Sequence, residues 1–179
     1  MADIIKKIAI VGPESTGKST LAKHLAEHYN TVFVPEYARS YLENKGAQYS
    51  ATDVEHIARE QLKLEQHYLQ QANKILLCDT SLLVIKVWLE YVYGTCPQWI
   101  LEEINEIHYD LYLLTAIDLK WQPDPLRENP NDREELFDIY LKELQGLNSP
   151  FKIVEGVENQ RVSSAVETID KILFPKNLA

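Results

Sequence analysis

The chain has 179 residues, 45% hydrophobic and 25% charged, the size and make-up of one globular domain, expected to span residues 1–179. Its 18 basic against 27 acidic residues leave a net charge of −9, which argues against a nucleic-acid-binding face. No apolar run approaches the ~18 residues of a membrane span, no leader-like segment opens the chain, and Cys78 and Cys96 lack metal-ligand spacing, so we expect a cytoplasmic protein.

Lys7–Val11 reads as a first buried strand, and Thr20–Tyr29 as a helix. Between them, Gly12-Pro13-Glu14-Ser15-Thr16-Gly17-Lys18-Ser19 matches the phosphate-loop pattern G-x-x-x-x-G-K-[ST] at every fixed position. Strand, glycine loop and helix is the context that pattern needs. The glycines let successive backbone N–H groups turn inward, and the helix adds the positive end of its dipole. Lys18 is placed to reach the β- and γ-phosphates and Ser19 to hold Mg²⁺. We expect Gly12, Glu14, Ser15, Thr16, Gly17, Lys18, Ser19 and Thr20 to bind ATP. His24 and His28 in the same helix fit a zinc-protease spacing, but that helix is committed to the phosphate loop, and zinc is not expected.

Thr31–Pro35 is the second strand and delivers Glu36, Tyr37 and Arg39. Glu36 is either a base for an attacking hydroxyl or a helix-dipole carboxylate. Thr52 and Glu55 form a capping box ahead of a helix marked by Val54, Ala58, Leu62 and Leu69. Lys74–Cys78 is the third strand, followed by Asp79, which holds Mg²⁺ or caps the next helix; we favour the metal. That helix, Ser81–Tyr93, is apolar nearly all round and is expected to be deeply buried.

Asp110–Leu114 is the fourth strand. The next stretch, about residues 115–133, has three prolines (Pro123, Pro125, Pro130) and no apolar period, and reads as a lid. Arg127 and Arg133 on it are candidates to cover a transferring phosphoryl group, and Trp121 to stack on a planar ligand or to anchor the lid. Asn131–Gln145 is a helix stopped by Gly146, Phe151–Val154 the fifth strand, and Val162, Ala165, Val166, Ile169 and Leu173 a final helical stripe. The alternation predicts an α/β three-layer fold with a five-stranded parallel sheet and a mobile lid.

The phosphate loop, the Glu36-Tyr37-Ala38-Arg39 run, Cys78-Asp79-Thr80, Tyr109-Asp110-Leu111 and the Trp121, Asp124, Arg127 lid together resemble the ribosylnicotinamide (nicotinamide riboside) kinase family of the P-loop NTPase superfamily. The resemblance implies an ATP- and Mg²⁺-dependent kinase acting in NAD biosynthesis on the 5′-hydroxyl of a small-molecule substrate, nicotinamide riboside. It further implies that Lys18 and Ser19 bind the phosphates and Mg²⁺, that Asp79 assists the metal, and that Glu36 lies where nucleoside kinases keep their base. Tyr37, Arg39, Trp121 and Asp124 then belong to the acceptor pocket, Arg127 and Arg133 close over the phosphates, and Arg161 approaches the adenine. Larger members carry DNA-binding and adenylyltransferase parts; a chain of this length is expected to be a stand-alone kinase. Two alternatives stay open, a kinase of another nucleoside or nucleotide and a regulatory ATPase with a protein partner. Whether Glu36 or Asp79 takes the proton is also open.

Overall fold

The computed structural model describes residues 4–46 and 48–175. Five strands, β1 (Lys6–Val11), β2 (Phe33–Val34), β3 (Ile75–Asp79), β4 (Leu111–Thr115) and β5 (Phe151–Val154), form one sheet in the order β2-β3-β1-β4-β5. Every pairing is parallel; Ile8 stands opposite Leu77 of β3 and Leu111 of β4. The helices are α1 (Lys18–Tyr29), α2 (Tyr37–Lys45), α3 (Ala51–Leu69), α4 (Leu82–Tyr93), α5 (Gln98–Glu106), α6 (Arg133–Gly146) and α7 (Glu158–Leu173).

Strand alternation divides the core between two faces. Ile8 and Ile10 pack with Leu25 of α1 and Ala165 and Ile169 of α7. Ala9 and Val11 pack with Leu83 and Val87 of α4 and with Leu136 and Tyr140 of α6. Both faces being covered, the strands read as unbroken apolar runs. A further layer joins α2, α3, α4 and α5 through Ala38, Ile57, Leu89 and Ile100. The strand order reverses around β1, and ligands enter such sheets at the carboxyl ends of the strands beside a reversal.

The five strands lie where the sequence puts them, with shifted ends. β2 keeps only two residues because Thr31 bonds with its side chain: its hydroxyl donates to the Ile75 carbonyl at 2.8 Å and accepts from the Asn73 N–H at 2.9 Å. β3 runs on through Asp79 and β4 through Thr115. The α3 capping box is Ser50 with Asp53, not Thr52 with Glu55; the Asp53 carboxylate accepts from the Ser50 N–H at 2.8 Å. Both pairs satisfy the same spacing rule, and Asp53 wins because Tyr41 and Lys45 of α2 also bond to it. α6 begins at Arg133 and includes Gly146 as its last residue. α5 has no counterpart in the sequence reading; its core contribution is only Ile100 and Ile104. The C-terminal turn of α4 is not buried, with Val92 45% exposed.

Candidate active site

The phosphate loop leaves β1 at Gly12, whose φ is 140°. A side chain there would also meet the Thr115 hydroxyl at 2.5 Å, so glycine is needed for both conformation and room. Thr115, at the end of β4, shares a 2.7 Å hydrogen bond with the Thr16 hydroxyl, which also bonds the Pro13 carbonyl at 2.7 Å. Ser15 and Gly17 hold positive φ of 57° and 80°. No side chain caps α1, so the N–H groups of its first turn stay available to an anion.

Lys18 donates to the carbonyls of Gly12 at 2.9 Å and Pro13 at 2.8 Å. Burial lowers its pKa, while Glu36, Asp79 and Glu14 pull it back up. Glu36 enters at the start of α2, lines the same cavity and makes no capping bond. Burial raises its pKa, Lys18 opposes that rise, and Asp79 adds to it. Glu14 is likewise raised by burial and opposed by N–H donors from Asn129 and Glu128.

Asp79 is 2% exposed at the end of β3, and its Oδ1 has no hydrogen-bond partner. Burial raises its pKa, with Ser19 beside it acting the other way. It does not cap α4; Ser81 occupies that position. The next residue, Thr80, has φ 89°, a strained value for a β-branched side chain. Among the described residues no cluster of three or more His, Cys, Asp or Glu could hold a metal. Mg²⁺ does not need one: it takes one or two protein oxygens and completes its shell with water and phosphate. An unpartnered buried carboxylate oxygen next to the Ser19 hydroxyl fits that requirement.

The cavity has a volume of about 220 Å³. Its lining includes the phosphate loop, Glu36 and Arg39, together with Val87, Trp88 and Tyr91 of α4, Tyr140 of α6 and Tyr49. The segment expected as a lid adds Leu126, Arg127, Glu128 and Asn129 to the lining. The Gln122 N–H donates to the Ser15 hydroxyl at 2.9 Å, and Arg127 reaches the same hydroxyl at 3.4 Å and the Gln122 carbonyl.

A family model described as an AAA domain matches residues 7–161. The chain belongs to that family. It is also 28% identical over 178 residues to the trifunctional NAD biosynthesis/regulator protein NadR of Escherichia coli (strain K12), covering 94% of this chain and 43% of that protein. A crystal structure of NadR in complex with NR matches with a TM-score of 0.79 at 22% identity, over 96% of this chain and 52% of that one. A second, in complex with NAD and AMP-PNP, matches with a TM-score of 0.74 at 21% identity, over 98% of this chain and 51% of that one. The chain thus spans about half the length of these NadR relatives, or less, and shares their fold.

Within this AAA-family domain, the structure brings together Gly12 to Thr20, Glu36, Arg39 and Arg127 in one cavity wall. Six expected site residues fall outside that lining: Asp79, set behind it at the end of β3, and Trp121, Arg133, Tyr37, Arg161 and Asp124. Trp121 stands beside Arg133, whose guanidinium carbon is 5.7 Å from the ring centre, so the lid supplies its own cation for this ring. Arg133 itself donates to the Leu119 carbonyl at 3.0 Å and the Ser15 carbonyl at 3.4 Å. Tyr37 borders a shallow surface depression with Tyr41 and Lys45. Arg161 is 4% exposed; its donors go to Thr16 O and Gly156 O, both at 2.8 Å, to Ala116 O at 3.3 Å and to Asp118. Every one of those bonds is internal, so Arg161 supports the phosphate loop from beneath. Asp124 touches the wall through Arg39, from which it accepts at 3.1 Å.

Sequence reasoning missed Tyr49, Trp88, Tyr91 and Tyr140. Trp88 and Tyr91 are three apart on α4 and share a helical face, and their polar tips mark a wall that is half apolar and half wet. That signal was present in the sequence and was absorbed into a uniformly apolar helix.

Proposed function

We propose that the chain is a kinase that moves the γ-phosphoryl group of ATP to the 5′-hydroxyl of nicotinamide riboside, releasing nicotinamide mononucleotide and ADP. One observation carries the reading: the Glu36 carboxyl, uncommitted to any cap, lies in a single cavity between a phosphate loop and an aromatic wall. Similarity to the E. coli NAD biosynthesis/regulator protein and to NadR in complex with NR supports the choice of acceptor.

The chemistry follows from the residues. ATP phosphates enter the loop, where the N–H groups of α1 face them. Lys18 leaves the Gly12 and Pro13 carbonyls and turns its charge to the phosphate oxygens. Ser19 and Asp79 would hold Mg²⁺, which would neutralise charge on those oxygens. The riboside ring lies against the aromatic wall and Arg39 fixes its polar edge. The riboside oxygen bonds to the γ-phosphorus as the bond to the bridging oxygen of ADP breaks, and the hydroxyl proton passes to Glu36. Glu36 is assigned the proton because it lines the cavity, whereas Asp79 is set back at the metal position. Arg127 crosses the mouth and meets the charge that spreads over the equatorial oxygens, while the lid excludes water.

The test is ADP release with ATP and Mg²⁺ across nicotinamide riboside, the common nucleosides and a no-acceptor blank. The reading predicts release that depends on an acceptor and is fastest with the riboside. Equal release without any acceptor would instead favour an ATPase.

A further inference from the structure

Donor and acceptor sides of the cavity are joined by hydrogen bonds that the transfer chemistry does not use. Glu14 of the phosphate loop accepts from the backbone N–H of Glu128 at 3.1 Å and of Asn129 at 2.9 Å. The Glu128 carboxylate accepts from the Tyr49 hydroxyl at 2.6 Å, and that hydroxyl accepts from the Trp88 indole N–H at 3.0 Å. The two rings meet edge to face with centres 5.0 Å apart, and both line the cavity. Tyr93 steadies the loop by donating to the Tyr49 carbonyl at 3.3 Å. Burial and the Glu128 carboxylate push the Tyr49 phenol well above its ordinary pKa, so it stays a donor at any working pH.

Tyr49 comes from the irregular stretch between α2 and α3, so what it touches sets its orientation. The residue that orders it, Glu128, is a lid residue next to Arg127. Among the described residues no carboxylate pairs with Arg127; its partners are the Ser15 hydroxyl and the Gln122 carbonyl. A triphosphate in the loop attracts that guanidinium, which no carboxylate neutralises, and clamps the segment from Gln122 to Asn129. With the segment clamped, the acceptor meets a wall already in place, and less ordering remains for it to drive.

Resting on the kinase reading above, we propose that Glu128 and Tyr49 are positioning residues that couple the two substrates, so that a bound triphosphate tightens binding of the riboside. Neither touches the reacting atoms. By linkage the riboside tightens the triphosphate by the same factor.

The test is calorimetric titration of nicotinamide riboside into the protein, with and without a non-hydrolysable ATP analogue and Mg²⁺, for the native chain, Tyr49→Phe and Glu128→Ala. Tyr49→Phe keeps the ring and removes only the hydroxyl. Glu128 is exposed, so its truncation leaves the core intact. The expected result is a tightening of about fivefold or more in the native chain, the lower end of usual couplings, falling below about twofold in both variants. Affinity for the analogue alone stays within about twofold of native. Retention of the native ratio in the variants overturns the proposal, even if riboside binding weakens overall, since that is mere packing. Absence of any tightening in the native chain overturns it too. If the native chain binds no riboside in either state, the acceptor assignment itself fails, and the coupling falls with it.

Discussion

The phosphate loop and the aromatic wall line one cavity, yet they are built in opposite ways. The loop is one run of sequence, shaped by its own backbone and held from behind by Thr115 and Arg161. The wall is assembled from Tyr49, α4 and α6, which the chain brings together only by folding. On the proposed function, the loop's role is tied to single residues, whereas the wall's is spread over several aromatic contacts and reaches the lid through Tyr49 and Glu128. Substitutions in the loop should be near-total in effect, and those in the wall and lid graded.

Lys18→Ala is expected to have the largest effect, removing riboside-dependent ADP release in a steady-state assay by at least about a thousandfold while the fold persists by circular dichroism. Glu36→Gln should lower kcat by roughly 10²–10⁴-fold. Its pH profile separates the base role from simple binding. A base must be ionised, and burial raises the Glu36 pKa above the usual 4.5. The native kcat/KM for the riboside should therefore fall as pH drops through a value above 4.5, and Glu36→Gln should lose that limb. Asp79→Asn is expected to raise the Mg²⁺ concentration needed for half-maximal rate by about tenfold or more, measured by metal titration.

Smaller effects sharpen the division between machinery and support. Arg161→Ala leaves Asp118 and the carbonyls of Thr16, Ala116 and Gly156 without their donor. A loss of about 3 kcal/mol is expected, seen as a fall in Tm of roughly 6–12 °C. Its KM for ATP should rise while the riboside KM stays put, because the arginine braces only the phosphate side. Trp121→Ala should have the least effect, with the riboside KM within about twofold of native, because its ring faces Arg133 and not the cavity.

These differences explain what was legible in the sequence. The phosphate loop was readable because its chemistry demands fixed residues at fixed spacing within one turn. The parallel sheet was readable because strands buried on both faces must be apolar throughout. The wall was legible only in part: Trp88 and Tyr91 share one face of α4, but Tyr49 and Tyr140 come from other segments, and each alone passes for core. Trp121 was drawn toward a ligand by its polar, proline-rich surroundings, but an arginine twelve positions on in the same lid offered its ring a partner. Arg161 was placed at the adenine by the family resemblance alone, and two of the acceptors that claim it, Thr16 and Asp118, are distant in sequence, so no local pattern announces them. The cap of α3 moved by two residues because two pairs met the same rule and only tertiary contacts chose between them.

The most direct test of the central claim follows the phosphoryl group itself. ATP labelled with ¹⁸O on its γ-phosphoryl oxygens is incubated with the native chain, Mg²⁺ and nicotinamide riboside, and the products are weighed by mass spectrometry. Transfer to the 5′-hydroxyl predicts nicotinamide mononucleotide carrying all the non-bridging label, formed in step with ADP. Labelled inorganic phosphate alone, with the riboside unchanged, would contradict it.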